Sequence, residues 1–226
     1  MSQHSPLRLG IAGLGTAGTG VVKIVRQQAA LLSARAGRDV VITAVSARDQ
    51  SRDRGVSLSG YAWETDAVAL AKRDDVDVFV ELIGGDTGVA KDAVEAALAC
   101  GKDVVTANKA LLAHHGQALA EQAESNDSVI RYEAAVAGGI PVIKSLLEGL
   151  AGNEITRVMG VMNGTCNYIL TNMEKSGRGY NALFDECAEL GYLEADPNLD
   201  VGGIDAGHKL ALLASIAVGP QVDFDS

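Results

Sequence analysis

Cysteine is scarce. Cys100, Cys166 and Cys187 are too few and too far apart in 226 residues for a disulfide framework, and no Cys-x-x-Cys pair suggests a zinc ribbon. A reducing compartment fits them best. Positive charge is also in deficit, with 19 Lys plus Arg against 29 Asp plus Glu and a formal net charge of −10. A surface of that sign repels phosphate backbones and anionic lipids, which argues against nucleic acid and membranes as partners. Long apolar runs are missing: the longest, residues 210–218, is broken by Ser215 and falls well short of the ~20 residues that span a bilayer. The first residues lack the basic and apolar regions of a secretory signal. No internal repeat or low-complexity linker interrupts the chain. The expectation from these absences is a soluble, cytoplasmic protein.

What is present points to a folded chain long enough to bury a core. Hydrophobic residues make up 47% and charged residues 21%, which excludes disordered and fibrous classes. At ~150 residues per domain the length falls between one domain and two. Glycine is in excess, at 26 of 226 residues, against a usual ~7%.

The first half alternates apolar runs with helical patterns. Strands are expected at residues 7–12, 40–47, 76–82, 103–107 and 129–134. Helices are expected after the first strand to about residue 36, and at 90–100 and 110–124. Such alternation predicts a parallel sheet covered on both faces. The pattern changes at Gly138-Gly139-Ile140-Pro141, with a helix expected over residues 141–150 and a strand with one apolar face over 154–162. Further helices are expected from Asn163-Gly164-Thr165 to about residue 175, over 180–190 and over 205–218, with an acidic loop at 194–203. The reading is α/β: a Rossmann-type doubly wound parallel sheet, residues 1–137, followed by an α+β substrate and dimerisation domain, residues 138–226.

Gly13-Leu14-Gly15-Thr16-Ala17-Gly18 follows the first strand and opens the first helix. In a GxGxxG loop the first glycine permits the tight turn, the second lets backbone approach a pyrophosphate, and the third lets helix and strand pack closely. The phosphates then meet the unpaired amides at the helix start. A lone GxGxxG is weak, but a strand before it and a helix after it make a dinucleotide site the stronger reading. The second strand ends Val45-Ser46-Ala47-Arg48-Asp49. Ser46 and Arg48, with Arg54 nearby, suit the 2′-phosphate of NADP, while Asp49 leaves NAD open. Lys109 follows the strand at 103–107, at the strand end where open α/β sheets bind ligands. A solvated helix-start lysine is the plainer alternative, although a cation is disfavoured there.

Glu194, Asp196, Asp200 and Asp205 crowd into twelve residues, followed by Lys209. Asp196-x-Asn198-x-Asp200 begins like an EF-hand loop, but Val201 and Gly207 stand where a glycine and a bidentate glutamate are needed, so that reading fails. Asp205 and Lys209, four apart, share a helix face, as a surface ion pair would. The sharper reading is a substrate site, with carboxylates for an ammonium group and a lysine that exchanges a proton with an alcohol or carbonyl oxygen. Gly202 and Gly203 would let backbone approach a ligand. His114 and His115 are adjacent and read as capping or surface residues, His208 as core or surface, and Cys166 as a small buried residue.

Four stretches together resemble the homoserine dehydrogenase family: residues 190–209 (LGYLEADPNLDVGGIDAGHK), 132–141 (YEAAVAGGIP), 163–170 (NGTCNYIL) and 106–109 (TANK). The resemblance runs from Leu7 to the last residue. It implies NADP- or NAD-dependent interconversion of L-homoserine and L-aspartate 4-semialdehyde, on the route to threonine, methionine and isoleucine, by a homodimer. By the same resemblance Lys209 is the proton donor and acceptor, Glu194 and Asp205 bind substrate, and Asp200 supports that site. Lys109 lies between cofactor and substrate, Gly191 contacts the cofactor, and Glu133, Val136, Gly138 and Ile140 hold a sodium ion, the last three by backbone carbonyl. Cys187 and Leu193 depart from the pattern, standing where smaller residues are usual. Family members continue beyond the length seen here, so an incomplete substrate domain is expected. Two alternatives remain at the level of sequence: another semialdehyde oxidoreductase, which would need a nucleophilic cysteine, and a non-catalytic nucleotide-binding or oligomerisation module.

Overall fold

Short, almost wholly apolar strands need partners on both edges and cover on both faces, and the first half of the chain supplies them in strict alternation. The computed structural model describes residues 5–193 and 197–219. Its sheet contains β1 (Leu7–Ala12), β2 (Val40–Ser46), β3 (Ala62–Glu64), β4 (Val78–Glu81), β5 (Asp103–Thr106) and β6 (Ile130–Arg131). The strands are parallel in the order β3-β2-β1-β4-β5-β6, the order of a Rossmann sheet. The interleaved helices are α1 (Thr16–Gln27), α2 (Ala29–Ala36), α3 (Ala67–Ala71), α4 (Val89–Ala99) and α5 (Lys109–Ser125).

Side-chain alternation divides the core into two layers. Leu9, Ile11, Val78 and Val80 point to the side covered by Val22 and Val25 of α1. Ala12, Phe79 and Val104 point to the other, covered by Leu70, Val94, Leu98, Leu111 and Leu119 of α3, α4 and α5. On α4 the buried face includes Ala90, Ala93 and Ala97, which brings that helix close to its neighbours. At the opposite end from the glycine loop, Arg8 makes a two-pronged contact with Asp77, at 2.6 and 3.0 Å, and its backbone N–H meets the same carboxylate at 2.9 Å. This clamp pins β1 to the start of β4.

The chain divides into two compact units between Val142 and Ile143, five residues beyond the boundary expected from sequence. In the second unit the described elements are helical: α8 (Gly164–Ser176), α9 (Tyr180–Glu189), α10 (Pro197–Val201) and α11 (Ile204–Val218), with Ile169, Leu183 and Cys187 at its packed centre.

The structure departs from the sequence reading in places. The strand expected over 129–134 stops at Arg131, and Glu133–Val136 forms a short helix, α6, because Glu-Ala-Ala favours helix. The helix expected over 141–150 is one turn, α7 (Val142–Lys144), running into a π-turn at Ser145–Gly149 closed by the Leu150 N–H on the Ser145 carbonyl at 2.8 Å. Residues 154–162 form no strand, since among the described residues no segment pairs with them and a strand exists only in a ladder. Part of the expected acidic loop is α10. Both β3 and α3 were too short to show a period.

The Arg8 guanidinium holds the Asp77 carboxyl below the usual carboxylate range. A lowered carboxyl stabilises the fold above its unfolded value and loses that contribution as pH falls through the folded one. Arg8→Met should therefore lower the unfolding midpoint at pH 7, with wild type and variant converging as pH falls through the lowered Asp77 carboxyl; a difference that persists undiminished in acid would contradict the clamp.

Candidate active site

Three glycines shape the end of β1. A Cβ on Gly13, whose φ is +93°, would lie 2.3 Å from the Leu82 carbonyl oxygen, and one on Gly18 would lie 1.9 Å from the Gly13 oxygen. Neither position accepts a side chain. At Gly15 nothing lies within 4 Å of a built Cβ, so this glycine faces open space. α1 begins there without a side-chain cap, which leaves first-turn amides to a phosphate. A cavity of about 580 Å³ opens beside the loop, lined by Gly13, Leu14, Gly15, Ser46, Arg48, Asp49, Arg52, Arg54, Asp66 and Ile83 among others. Thr16, Ala17 and Gly18 form the first turn of α1. Arg54 is anchored on the Asp49 and Arg52 carbonyls, at 2.5 and 2.8 Å, and lies over the Trp63 ring. Sequence reading found Arg48 and Arg54 but missed Arg52, which has no positional signature in an irregular loop.

Lys109 is the first residue of α5, and the helix is capped by Asn108, whose side-chain oxygen accepts the Leu111 N–H at 3.1 Å. Glu133 and Val136 lie on α6, with Gly138 and Ile140 in the turn after it. Among the described residues no cluster of three or more His, Cys, Asp or Glu could hold a metal. Of the four positions that the family resemblance gives to sodium, Glu133 offers a carboxylate and the other three backbone carbonyls. The Ile140 carbonyl also accepts the Val142 N–H at 2.8 Å.

The second unit holds a polar knot. Asn163 caps α8 through its side-chain oxygen, which accepts the Cys166 N–H at 2.8 Å. Its amide nitrogen donates to Asp200 at 2.9 Å and to Asp205 at 3.0 Å. Lys209, one turn along α11 from Asp205, donates to that carboxylate at 2.8 Å and to the Met162 carbonyl at 2.9 Å. The Asp205 side chain is 3% exposed and that of Lys209 20%. The pair is thus not the solvated surface bridge that its spacing alone allowed. Buried charges persist only with partners, and here each has more than one. The knot lines an open cavity of about 600 Å³ with Thr165, Tyr168, Asn172 and Tyr192.

Sequence reading saw Asn163 only as a helix cap. Its hold on two carboxylates spans 37 and 42 residues, a distance no local pattern reports. Glu194 lies outside the described residues. Gly191 turns the chain after α9 with φ +70° and, like Lys109, is not among the residues lining these two cavities. Cys166 and Cys187 do not suit nucleophilic catalysis. Burial, then the charges of Asp200 and Asp205, push the Cys166 thiol up, and burial raises Cys187 as well, whereas reactive thiols are lowered.

A Rossmann sheet with an open glycine cradle, joined to a helical unit with a lysine–carboxylate cavity, defines a dinucleotide-dependent oxidoreductase class. Residues 13–133 match the family model for the homoserine dehydrogenase NAD-binding domain, and residues 141–226 match that for homoserine dehydrogenase. The chain belongs to the homoserine dehydrogenase family. It is 43% identical over 221 residues to homoserine dehydrogenase of Neisseria gonorrhoeae, covering 98% of this chain and 50% of the relative. A Pseudomonas aeruginosa homoserine dehydrogenase is 44% identical over 220 residues, with 97% and 50% covered. The crystal structure of a homoserine dehydrogenase from Thiobacillus denitrificans superposes with a TM-score of 0.93 at 39% identity, over 98% of this chain and 51% of that one. The chain therefore spans about half the length of the relatives it matches. No helix among the described residues is long and apolar enough to cross a membrane.

Asn163→Ala removes a helix cap and two hydrogen bonds to buried carboxylates, and should cost about 2–4 kcal/mol in denaturant unfolding. Asn163→Asp keeps the shape but adds a third acid. Like charges raise its carboxyl, so its deficit should be largest at neutral pH and shrink as pH falls toward ~4. A deficit independent of pH would overturn this account of the knot.

Proposed function

We propose that this chain carries the cofactor site and a working part of the substrate site of an enzyme interconverting L-homoserine and L-aspartate 4-semialdehyde with NADP or NAD. The observation that carries the reading is the buried Lys209–Asp205 pair, held by Asn163 and opening on a cavity, in a chain of this family.

The bound nicotinamide supplies the hydride in one direction and takes it in the other. The chain's own residues handle the proton and the orientation. Asp205 and the Met162 carbonyl occupy two of the three N–H directions of Lys209, which leaves one for a substrate oxygen. In oxidation Lys209, as the free amine, takes the hydroxyl proton while the C4 hydrogen departs as hydride; in reduction its ammonium returns a proton to the aldehyde oxygen. Asp200 and Asp205 provide negative charge on the cavity wall, and Glu194 is assigned by family resemblance to the substrate ammonium. The same resemblance assigns Lys109 to the boundary of cofactor and substrate, Gly191 to the cofactor, and Glu133 with the Val136, Gly138 and Ile140 carbonyls to sodium. Ser46 and the basic residues Arg48, Arg52 and Arg54 line the cavity beside the glycine loop, which supports NADP over NAD.

The wider setting belongs to the same reading: a cytoplasmic homodimer on the route to threonine, methionine and isoleucine, with no nucleic acid partner. Free cysteines support the compartment. Met159 and Val161, 77% and 76% exposed in the unpaired segment 154–162, support a second copy as partner.

The test is homoserine-dependent reduction of NADP+ by this chain. Lys209→Met should lower turnover by about 10²–10⁴-fold while NADPH affinity stays near wild type; near-normal turnover would sink the assignment. Arg48→Ala should weaken NADPH by roughly ten-fold and leave NADH little changed, since only the former carries the 2′-phosphate. Equal losses for both cofactors would exclude Arg48 from that role.

A further inference from the structure

At the carboxyl end of the sheet Glu81 pairs in register with Ala12 on one side and Thr106 on the other. The Glu81 side chain is fully buried, and Thr106 is 1% exposed. An apolar residue would fill this place at lower cost, because a buried carboxylate is tolerated only with a full set of donors. Glu81 has them. One oxygen accepts the Ile83 and Gly84 N–H groups at 2.7 and 2.9 Å, and the other accepts the Thr106 hydroxyl at 2.5 Å. The Thr106 oxygen accepts the Asn108 N–H at 2.9 Å, and the Asn108 side chain donates to the Gly85 carbonyl at 2.6 Å. The contacts close into a ring that ties the loop after β4 to the start of α5. Gly84 and Gly85 stand at φ +86° and +88°, a conformation the ring holds in place.

The ring's position assigns it a role. In this sheet order the pyrophosphate lies at the start of α1 and the adenosine ribose at the end of β2, so the nicotinamide half falls on the opposite side, over the ends of β4 and β5. We propose that Glu81, acting through Thr106 and Asn108, is a positioning residue for the nicotinamide half of the cofactor. It fixes the Gly84-Gly85 turn on that side and the helix start that presents Lys109. The proposal rests on the dinucleotide-binding reading and is independent of homoserine turnover.

Two ligands separate positioning from general stability: NADPH, and adenosine 2′,5′-bisphosphate, which lacks the nicotinamide half. Each is titrated against wild type, Glu81→Gln, Thr106→Val and Thr106→Ser, with the unfolding midpoint measured in parallel. Glu81→Gln and Thr106→Val should weaken NADPH roughly ten-fold, the scale of one or two lost hydrogen bonds. The bisphosphate should bind as to wild type, and Thr106→Ser, which keeps the hydroxyl, should restore NADPH. If Glu81→Gln fails to fold, the Thr106 pair decides. Parallel weakening of both ligands, or undiminished NADPH binding, overturns the inference while leaving the cofactor reading intact. Wild type that binds neither ligand overturns both.

Discussion

The close approach of β1, α1 and the loop after β4 at Gly13 is the constraint on which the first unit depends. The Leu82 carbonyl sits where a side chain at Gly13 would start, and the Gly13 carbonyl sits where one at Gly18 would start. With both contacts made, the first turn of α1 lies directly beyond β1, and its amides become the floor of an anion site. The topology does the rest. Where the strand order turns from β1 toward β2 on one side and toward β4 on the other, the connecting helices pack on opposite faces and a crevice opens. The arginine-lined cavity lies on the β2 side of that crevice and the Glu81–Thr106–Asn108 ring on the other.

The second unit solves a different problem. Asp200, Asp205 and Lys209 carry charge into a buried setting that an apolar core would not need to maintain. Asn163 makes that tolerable because a single primary amide serves three purposes: its oxygen starts α8, and its nitrogen faces both acids. The knot stays polar, charged and open to a cavity, as a site for a small charged molecule requires. Such an arrangement is weak support for stability and stronger support for function.

Much of the first unit was legible in the sequence, because its signals are local. The GxGxxG loop, the continuous apolar strands and the alanine-rich helix each report on their own structure through composition and period. The misreadings share one cause. Residues 154–162 alternate like a strand, yet alternation describes only one face and says nothing of a neighbour to pair with. Residues 129–134 read as one strand because β-branched residues lead it, while Glu133 and the alanines after it turn the chain into helix. In the second unit the Asp205–Lys209 pair was legible from its spacing, but its burial was not, since the partner that buries it is Asn163, some forty residues away. The buried Glu81 passed unnoticed for the same reason: in sequence it is the polar end of an apolar run, and only the register against Thr106 gives it meaning.

The alanine face of α4 bears on how this protein can vary. Ala90, Ala93 and Ala97 are at most 1% exposed, so the distance between that helix and its neighbours is set by the smallest side chain that still favours helix. Larger residues there would have to be matched by shrinkage opposite, at Leu70 of α3 or Phe79 of β4. Drift at these sites is therefore coupled across the layer, and relatives should differ there in compensating pairs, while the solvent face of the same helix varies freely.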